Sequence, residues 1–325
     1  MAFRVFLTGS GIARPALYIL EQEHCEYRVG DPTDTPDDLI NKLRDFDPHA
    51  LIVRQGKITA EVQAAAPSLR VICKHGVGLD NIDVDAATHR GIPVLFTPGA
   101  NFESAAEHTL ALMLALLRRV PTYDRRIRSG VFDKKPYDGQ EPLGRTLGLI
   151  GFGRIGRRVA ELVAPFRMRV LVYHPSATHE PLPDYIRKVK RPEDLYPEVD
   201  VLSLHCPLTA ETWHMINRDV LQQMKRGVYI INTARGGLVQ EHDLLAALQS
   251  GQVAGAALDV FEEEPLPAEH PFYRLDNVIL SPHVAGSSDN SLINMGTQSV
   301  QQVLAVLRGE PVDPEVMVNR IEPSK

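Results

Sequence analysis

Cysteine is scarce: Cys25, Cys73 and Cys206 are the only three among 325 residues. An odd, widely dispersed set builds neither a disulfide framework nor a zinc-type cluster, so no metal site is expected and a reducing cytoplasm is the expected compartment. Long apolar runs are missing too. The longest, 110–117, falls far short of the roughly 20 residues a membrane-spanning helix needs, and Arg118 and Arg119 close it. The start of the chain has no charged head, apolar core and small-residue cleavage site in succession, because Thr8, Gly9, Ser10 and Gly11 interrupt its apolar opening; no export signal is read there. There is no excess of positive charge. Lys and Arg total 35 against 41 Asp and Glu, a net charge of −6, so no basic field draws the chain to nucleic acid or anionic lipid. What remains is ordinary globular composition, 44% hydrophobic and 23% charged, over a length that suits about two domains.

Short β-rich runs alternate with helical stretches: 3–7, a helix near 15–23, 50–54, a helix near 59–66, 71–74 and 94–96. Such alternation implies a parallel sheet covered by helices. A helix rich in Ala and Leu follows over about 104–119 and is expected to bridge two lobes. A second series then begins, with strands at 146–150, 169–173, 200–205, 228–232, 255–260 and 277–281 and a helix at about 154–165. Six strands in doubly wound order are the expectation for a dinucleotide fold. The tail from 291 to 307 carries Leu292, Met295, Val300, Val303, Leu304 and Leu307 at helical spacing with no strand of its own to cover, so it is expected to return to the first lobe.

Gly151-Phe152-Gly153-Arg154-Ile155-Gly156 follows an apolar strand and opens an amphipathic helix. In that setting Gly151 permits the tight turn, Gly153 lets backbone approach a pyrophosphate, and Gly156 lets helix and strand pack closely. Gly9 and Gly11 also follow a strand, but Arg14 stands at the third glycine position with Pro15 after it, so that segment reads as a strand-to-helix turn. An acid that would grip the adenosine ribose belongs about 20 residues after the glycines, where this chain has Tyr173-His174-Pro175-Ser176. Without it nothing rejects a 2′-phosphate, and no arginine adjoins His174 in sequence to attract one. His174, Ser176 and Thr178 suit either NAD or NADP, and His174 also reads as a plain solvated loop residue.

Three chemically distinct residues stand just past successive late strands, where ligands bind in such sheets. Arg235 lies in Asn232-Thr233-Ala234-Arg235-Gly236-Gly237. Asp259 and Glu264 lie in the segment from Asp259 to Pro265, and His283 lies in Ser281-Pro282-His283-Val284-Ala285-Gly286. Singly, each has a bland reading as a surface pair, a solvated acidic turn or a strand-end cap. Together they suit reduction of an oxo acid, since a guanidinium holds a carboxylate bidentately and a carboxylate beside a histidine favours the imidazolium that gives up a proton.

With these motifs, and with the segments Lys74 to Asp83, Thr97 to Asn101, Ala106-Glu107-His108 and His205 to Thr209, the sequence resembles the D-isomer-specific 2-hydroxyacid dehydrogenase family along nearly its whole length. The resemblance implies two doubly wound parallel-sheet α/β lobes, a Rossmann cofactor domain at 99–285 inserted into a flavodoxin-like substrate domain made of 1–98 and 286–325. It implies that Arg235 binds the substrate carboxylate and carbonyl, that Glu264 tunes His283, and that His283 is the general acid in reduction or base in oxidation. Cofactor contacts would fall on Gly151, Gly153, Arg154, Ile155 and Gly156, on His174, Cys206 and Pro207, and on Thr233, Ala234, Asp259 and Gly286. Substrate contacts would fall on Val77 and Gly78, with Arg54 and Gln55 nearby, besides Arg235 and His283. NAD-preferring members usually carry Asp where His174 stands, so NAD or NADP both remain, NAD slightly favoured. The resemblance further implies hinge closure over the substrate, a homodimer to which the helix near 104–119 contributes, and no serine-sensing regulatory domain after Lys325.

The expected activity is reversible NAD(P)H-dependent reduction of a small 2-oxo acid to the D-2-hydroxy acid. Arg54, Lys74 and His75 favour hydroxypyruvate, glyoxylate or phosphohydroxypyruvate. The alternatives are a nicotinamide-sensing binding protein of the same fold, which would bind dinucleotide without turnover, and a formate- or phosphite-type dehydrogenase. No nucleic-acid or membrane partner is expected.

Overall fold

A computed structural model describes residues 2–133, 138–175 and 181–321. The chain divides into two compact units, one holding the residues up to Asn101 and from Ser287 onward, the other Phe102–Gly286.

The first unit opens with β1 (Arg4–Thr8), α1 (Arg14–Gln22), β2 (Glu26–Val29), α2 (Pro36–Phe46), β3 (Ala50–Val53), α3 (Ala60–Ala64), β4 (Val71–Lys74), α4 (Val84–His89) and β5 (Val94–Leu95). The five strands are parallel in the order β2-β1-β3-β4-β5, the flavodoxin-like arrangement. Central strands such as Ala50–Val53 are buried throughout, as a sheet covered on both faces requires. On one face Leu39 and Leu43 of α2 and Val62 of α3 pack on Phe6, Leu51, Val53 and Ile72. The start of α2 is written locally: Thr35 and Asp38 form a reciprocal capping box, with Pro36 in the first turn.

The second unit runs α5 (Phe102–Leu117), α6 (Val120–Arg128), β6 (Thr146–Ile150), α7 (Arg154–Val163), β7 (Arg169–Tyr173), β8 (Ile186–Lys188), β9 (Val201–Leu204), α8 (Arg218–Gln223), β10 (Val228–Asn232), α9 (Glu241–Ser250), β11 (Val253–Leu258) and β12 (Val278–Leu280). Its parallel sheet has the order β12-β11-β10-β9-β6-β7-β8, doubly wound about β6. Among the described residues there are seven strands rather than the six expected. The added one, β8, is a three-residue edge strand with a single buried residue, Ile186, and follows Pro183; too little apolar alternation marks it in sequence. The helix expected to bridge two lobes is α5, which lies wholly within the second unit and packs on α7 and on β10 and β11 through residues such as Leu112, Met113 and Leu116. Its unbroken apolar character reflects burial within one core.

The chain then returns to the first unit with α10 (Asp289–Arg308), capped by Ser288 at its start and by Gly309 at φ 74° at its end. Val300, Val303, Leu304 and Leu307 cover the sheet face opposite α2, packing on Val5, Leu7, Ile52 and Cys73. Asn319 completes the edge by accepting the Val94 N–H at 2.7 Å. Among the described residues no helix is long and apolar enough to cross a membrane, and no group of three or more His, Cys, Asp and Glu is arranged to hold a metal.

Candidate active site

In the second unit the sequence-selected residues gather at the C-terminal ends of the strands. Gly151 turns at φ 98° with its N–H on the Tyr173 carbonyl at 2.9 Å, and a Cβ there would stand 2.3 Å from the His205 carbonyl oxygen. Gly156 lies so close to Gly151 that its Cβ would meet that residue's oxygen at 2.3 Å. Gly153 differs. It begins α7 with no side-chain cap, and a Cβ there would meet nothing within 4 Å. The start of a ten-residue helix with no side-chain cap, opening on a glycine with free space beside it, suits the pyrophosphate of a dinucleotide. The residues present therefore fit such a cofactor, with Arg154 and Ile155 in the first turn beside it.

His174 follows β7, and its Nδ1 accepts the Phe152 N–H at 3.4 Å, which ties it to the glycine turn. No arginine adjoins it in sequence, yet the fold supplies cations. The Arg157 guanidinium lies 4.9 Å from the centre of the Phe152 ring, and Lys188 on β8 registers with Val172 of β7. Burial, then the charges of Lys188 and Arg157, hold the His174 imidazole below its usual range. Ser176 and Thr178 lie outside the described residues. Cys206 and Pro207 follow β9; the Cys206 thiol is pushed up to about 11 by burial and is not poised as a nucleophile.

Past β10, Asn232 shapes the next turn: its Oδ1 accepts the Ala234 N–H at 3.1 Å and its amide donates to the Arg235 carbonyl at 2.8 Å. Thr233 meets Thr109 of α5 through their hydroxyls at 2.9 Å. Past β11, the fully buried Asp259 accepts from Ser281 Oγ at 2.6 Å, Val284 N at 3.0 Å and Ala285 N at 2.8 Å, while its carbonyl accepts the His283 N–H at 2.7 Å. These bonds hold His283 at φ 53°, a left-handed conformation that an L side chain adopts only when its surroundings fix it. Gly286 closes this segment at the end of the unit.

Glu264 and His283 are in contact. Glu264 Oε2 lies 2.7 Å from His283 Nδ1, and Glu264 Oε1 accepts the Phe261 N–H at 3.0 Å. Burial pushes the Glu264 carboxyl up, but the His283 hydrogen bond and charge, the Phe261 N–H and the positive charge of Arg235 outweigh it and hold the group below its usual range. Since Nδ1 faces a carboxylate it carries a proton, which leaves Nε2 as the atom that meets a ligand.

Sequence reasoning assigned no role to several residues that shape this edge: Asn232, Ser281, Phe261 and His108, whose Nε2 lies 3.2 Å from Ser281 Oγ and 3.6 Å from Asp259. Each carried one signal, its place within a quoted motif: His108 in Ala106-Glu107-His108, and Asn232, Phe261 and Ser281 in the three late segments.

The first unit holds the remaining candidates. Arg54 and Gln55 follow β3, and Val77 and Gly78 follow β4. The turn through Gly9 and Gly11, both at φ 77°, closes on them: a Cβ on Gly9 would meet Gln55 Oε1 at 2.5 Å, and the Arg54 guanidinium donates to the Ser10 carbonyl. Lys74 Nζ donates to Asn81 Oδ1 at 2.8 Å. His75, expected to favour a polar substrate with Arg54 and Lys74, is buried, 5% exposed, with Nε2 3.7 Å from where a Gly296 Cβ would stand on α10. It follows β4 directly, and the charges of Arg54 and Lys74 still reach it.

Residues 110–285 match the family model described as D-isomer specific 2-hydroxyacid dehydrogenase, NAD binding domain. The chain belongs to the D-isomer-specific 2-hydroxyacid dehydrogenase family. A relative from Thermofilum pendens named glyoxylate reductase is 41% identical over 95% of this chain and 92% of its own. A D-3-phosphoglycerate dehydrogenase from Archaeoglobus fulgidus is 40% identical over 89% of this chain but only 54% of its own length. Among solved structures, the TT0316 protein from Thermus thermophilus superposes with a TM-score of 0.89 at 38% identity, covering 98% of this chain and all of that one. As a D-2-hydroxyacid dehydrogenase, the protein is an oxidoreductase that acts on the CH–OH group of 2-hydroxy acids with a nicotinamide dinucleotide.

Proposed function

We propose that this dehydrogenase reduces a small polar 2-oxo acid reversibly, with hydroxypyruvate, glyoxylate and phosphohydroxypyruvate favoured. The observation that carries the reading is the 2.7 Å contact between Glu264 and His283, at the ends of neighbouring strands with Arg235 close by. The bound nicotinamide supplies the hydride in reduction and accepts it in oxidation. Arg235 holds the substrate carboxylate and orients the carbonyl through its fork of N–H donors. As negative charge develops on the carbonyl oxygen, His283 Nε2 donates its proton there, and Glu264 stabilises the imidazolium beforehand. In the opposite direction the neutral Nε2 takes the hydroxyl proton. Gly151, Gly153, Gly156, Arg154 and Ile155 would hold the pyrophosphate, and Cys206, Pro207, Thr233, Ala234 and Gly286 the rest of the dinucleotide, whereas Asp259, expected there too, is fully buried and braces the His283 turn instead. Within the first unit, Val77 and Gly78 would contact the substrate carboxylate, with Arg54 and Gln55 beside them. The cations Arg54 and Lys74 support a substrate with a second polar or anionic group.

Cofactor choice turns on His174. An acid would repel a 2′-phosphate, whereas Arg157 and Lys188 near His174 favour accepting one, so NADPH is proposed to serve at least as well as NADH. A homodimer is also proposed. Helix α6 buries none of its residues and leaves Val120, Ile127, Val131 and Phe132 exposed in and just after it, an apolar face that a second copy would cover.

The deciding experiment follows oxidation of NADH and of NADPH, separately, over hydroxypyruvate, glyoxylate, phosphohydroxypyruvate, pyruvate and a branched 2-oxo acid, with reduction of NAD(P) by formate and by phosphite alongside. Turnover with a polar 2-oxo acid is expected. Turnover on formate or phosphite alone, or dinucleotide binding with no turnover on anything, overturns the reading.

A further inference from the structure

Four titratable side chains lie together behind the Glu264 loop and take no part in the chemistry above: His214, Glu241, Glu262 and His270. Glu241 is the first residue of α9, whose N-cap residue, Gln240, makes no side-chain capping hydrogen bond. The Glu262 carboxylate fills that place. Its Oε1 accepts the Glu241 N–H at 2.9 Å, and Glu241 Oε1 accepts the Glu262 N–H at 2.9 Å, so each carboxylate holds the other's backbone. A carboxylate at this position also meets the positive end of the α9 dipole.

Two facing carboxylates repel, and a histidine stands behind each. His270 Nδ1 accepts the Phe272 N–H at 3.3 Å, so the ring proton sits on Nε2, 3.3 Å from Glu241 Oε2. His214 stacks on Trp213 with ring centres 4.4 Å apart, and its Nε2 lies 3.2 Å from Glu262 Oε1; the alignment is too poor for a hydrogen bond, so that contact is electrostatic only. Burial and the Glu262 charge push the Glu241 carboxyl above its usual range against the pull of the Glu262 N–H and His270.

What the pair pins is a single peptide. Glu241 holds the N–H of the Phe261-Glu262 peptide, and Gly236 presses on its other atoms so closely that a Cβ there would lie 1.9 Å from the Phe261 carbonyl. The Phe261 N–H, one residue back, is the donor that fixes Glu264 Oε1 and leaves Oε2 for His283.

We propose that the reciprocal Glu241–Glu262 pair, backed by His214 and His270, is a clamp that fixes the loop carrying Glu264 and so aims that carboxylate at His283. Glu241 and Glu262 are positioning residues for 2-oxo acid reduction, an inference that rests on the roles given above to Glu264 and His283.

The test compares Glu262→Ala with Glu262→Gln, and Glu241→Ala with Glu241→Gln, in the full chain. The Gln variants keep an oxygen that accepts the partner N–H. Both Ala variants are expected to lose about tenfold or more in kcat, a general-acid effect being worth about 10²–10⁴ in full. The dinucleotide Kd should stay within about twofold, and the high-pH fall of the reduction rate should move to lower pH; the Gln variants recover most of the rate. The His283 imidazole resonance, followed by NMR across pH, should shift in the Ala variants and return in the Gln variants. That readout needs no turnover, so the clamp stands or falls apart from the assigned reaction. Ala variants that bind dinucleotide normally with unchanged kcat, pH profile and imidazole resonance overturn the clamp, as does a rate loss matched by loss of folded protein.

Discussion

At the scale of single residues, the chemistry rests on His283 and the carboxylate that orients it. His283→Ala is expected to cut turnover by about 10²–10⁴ while leaving nicotinamide binding nearly intact, which steady-state kinetics and fluorescence titration would read separately. Undiminished turnover would discard the assignment. Glu264→Gln keeps the hydrogen bond's shape but removes the charge that favours the imidazolium, so the high-pH fall of the reduction rate should move to lower pH. A profile that stays in place would break the coupling of the two residues. Arg235, Glu264 and His283 stood out in sequence because an arginine, an acid and a histidine each followed a late strand. What holds them was not visible there: Asp259 binds four partners around the His283 turn through contacts at sequence separations of 22 to 26, and the Glu241–Glu262 pair spans 21 residues. No local pattern marks bonds of that kind.

At the scale of the element, the glycine turn between β6 and α7 makes opposite predictions for neighbouring positions. Gly153→Ala adds a methyl to open space, so the thermal midpoint should hardly move, while dinucleotide affinity should fall at least tenfold because the methyl occupies the approach to the uncapped helix start. Gly151→Ala combines a φ of 98° with a contact of 2.3 Å and should lower the midpoint itself. Calorimetry beside a binding titration separates the two; equal behaviour would deny that Gly153 faces the cofactor. Strands buried on both faces, such as 71–74, 146–150, 169–173 and 228–232, were legible to the residue because each is a dense apolar run. The edge strands β5 and β12 were read as 94–96 and 277–281, but the edge strands β2 and β8 were not. Glu26–Val29 alternates over only two apolar residues, Tyr27 and the exposed Val29, and Ile186–Lys188 holds one, so pairing with β1 and β7 makes them strands more than their own pattern does. Helix α2 was passed over although Leu39, Leu43 and Phe46 lie at helical spacing behind a Thr35 cap.

At the scale of the whole molecule, two histidines, His75 buried and His205 partly buried, tie stability to pH. Burial lowers His205 and His75 to about 4, His75 also feeling Arg54 and Lys74. Both are neutral when folded at about pH 6.5, whereas the unfolded chain takes up their protons below that value. Stability is thus fully present above about pH 6.5 and is lost as pH falls toward about 4, by at most on the order of 3 kcal/mol per histidine. The thermal midpoint should begin to drop near about pH 6.5, above the range in which carboxylates protonate, and His75→Asn should remove part of the drop. A midpoint flat from about pH 7 to about pH 5 would contradict this.

The return of α10 to the first sheet also sets the timetable of synthesis. Val5, Leu7, Ile52 and Cys73 are made before the second unit, but the side chains that cover them, Val300, Val303, Leu304 and Leu307, are made only after it. Until then one greasy face of the N-terminal sheet has no lid, while everything the middle of the chain needs for its own core has already been made. The inserted unit can therefore fold as a whole while the sheet that precedes it still lacks the helix that covers one of its faces.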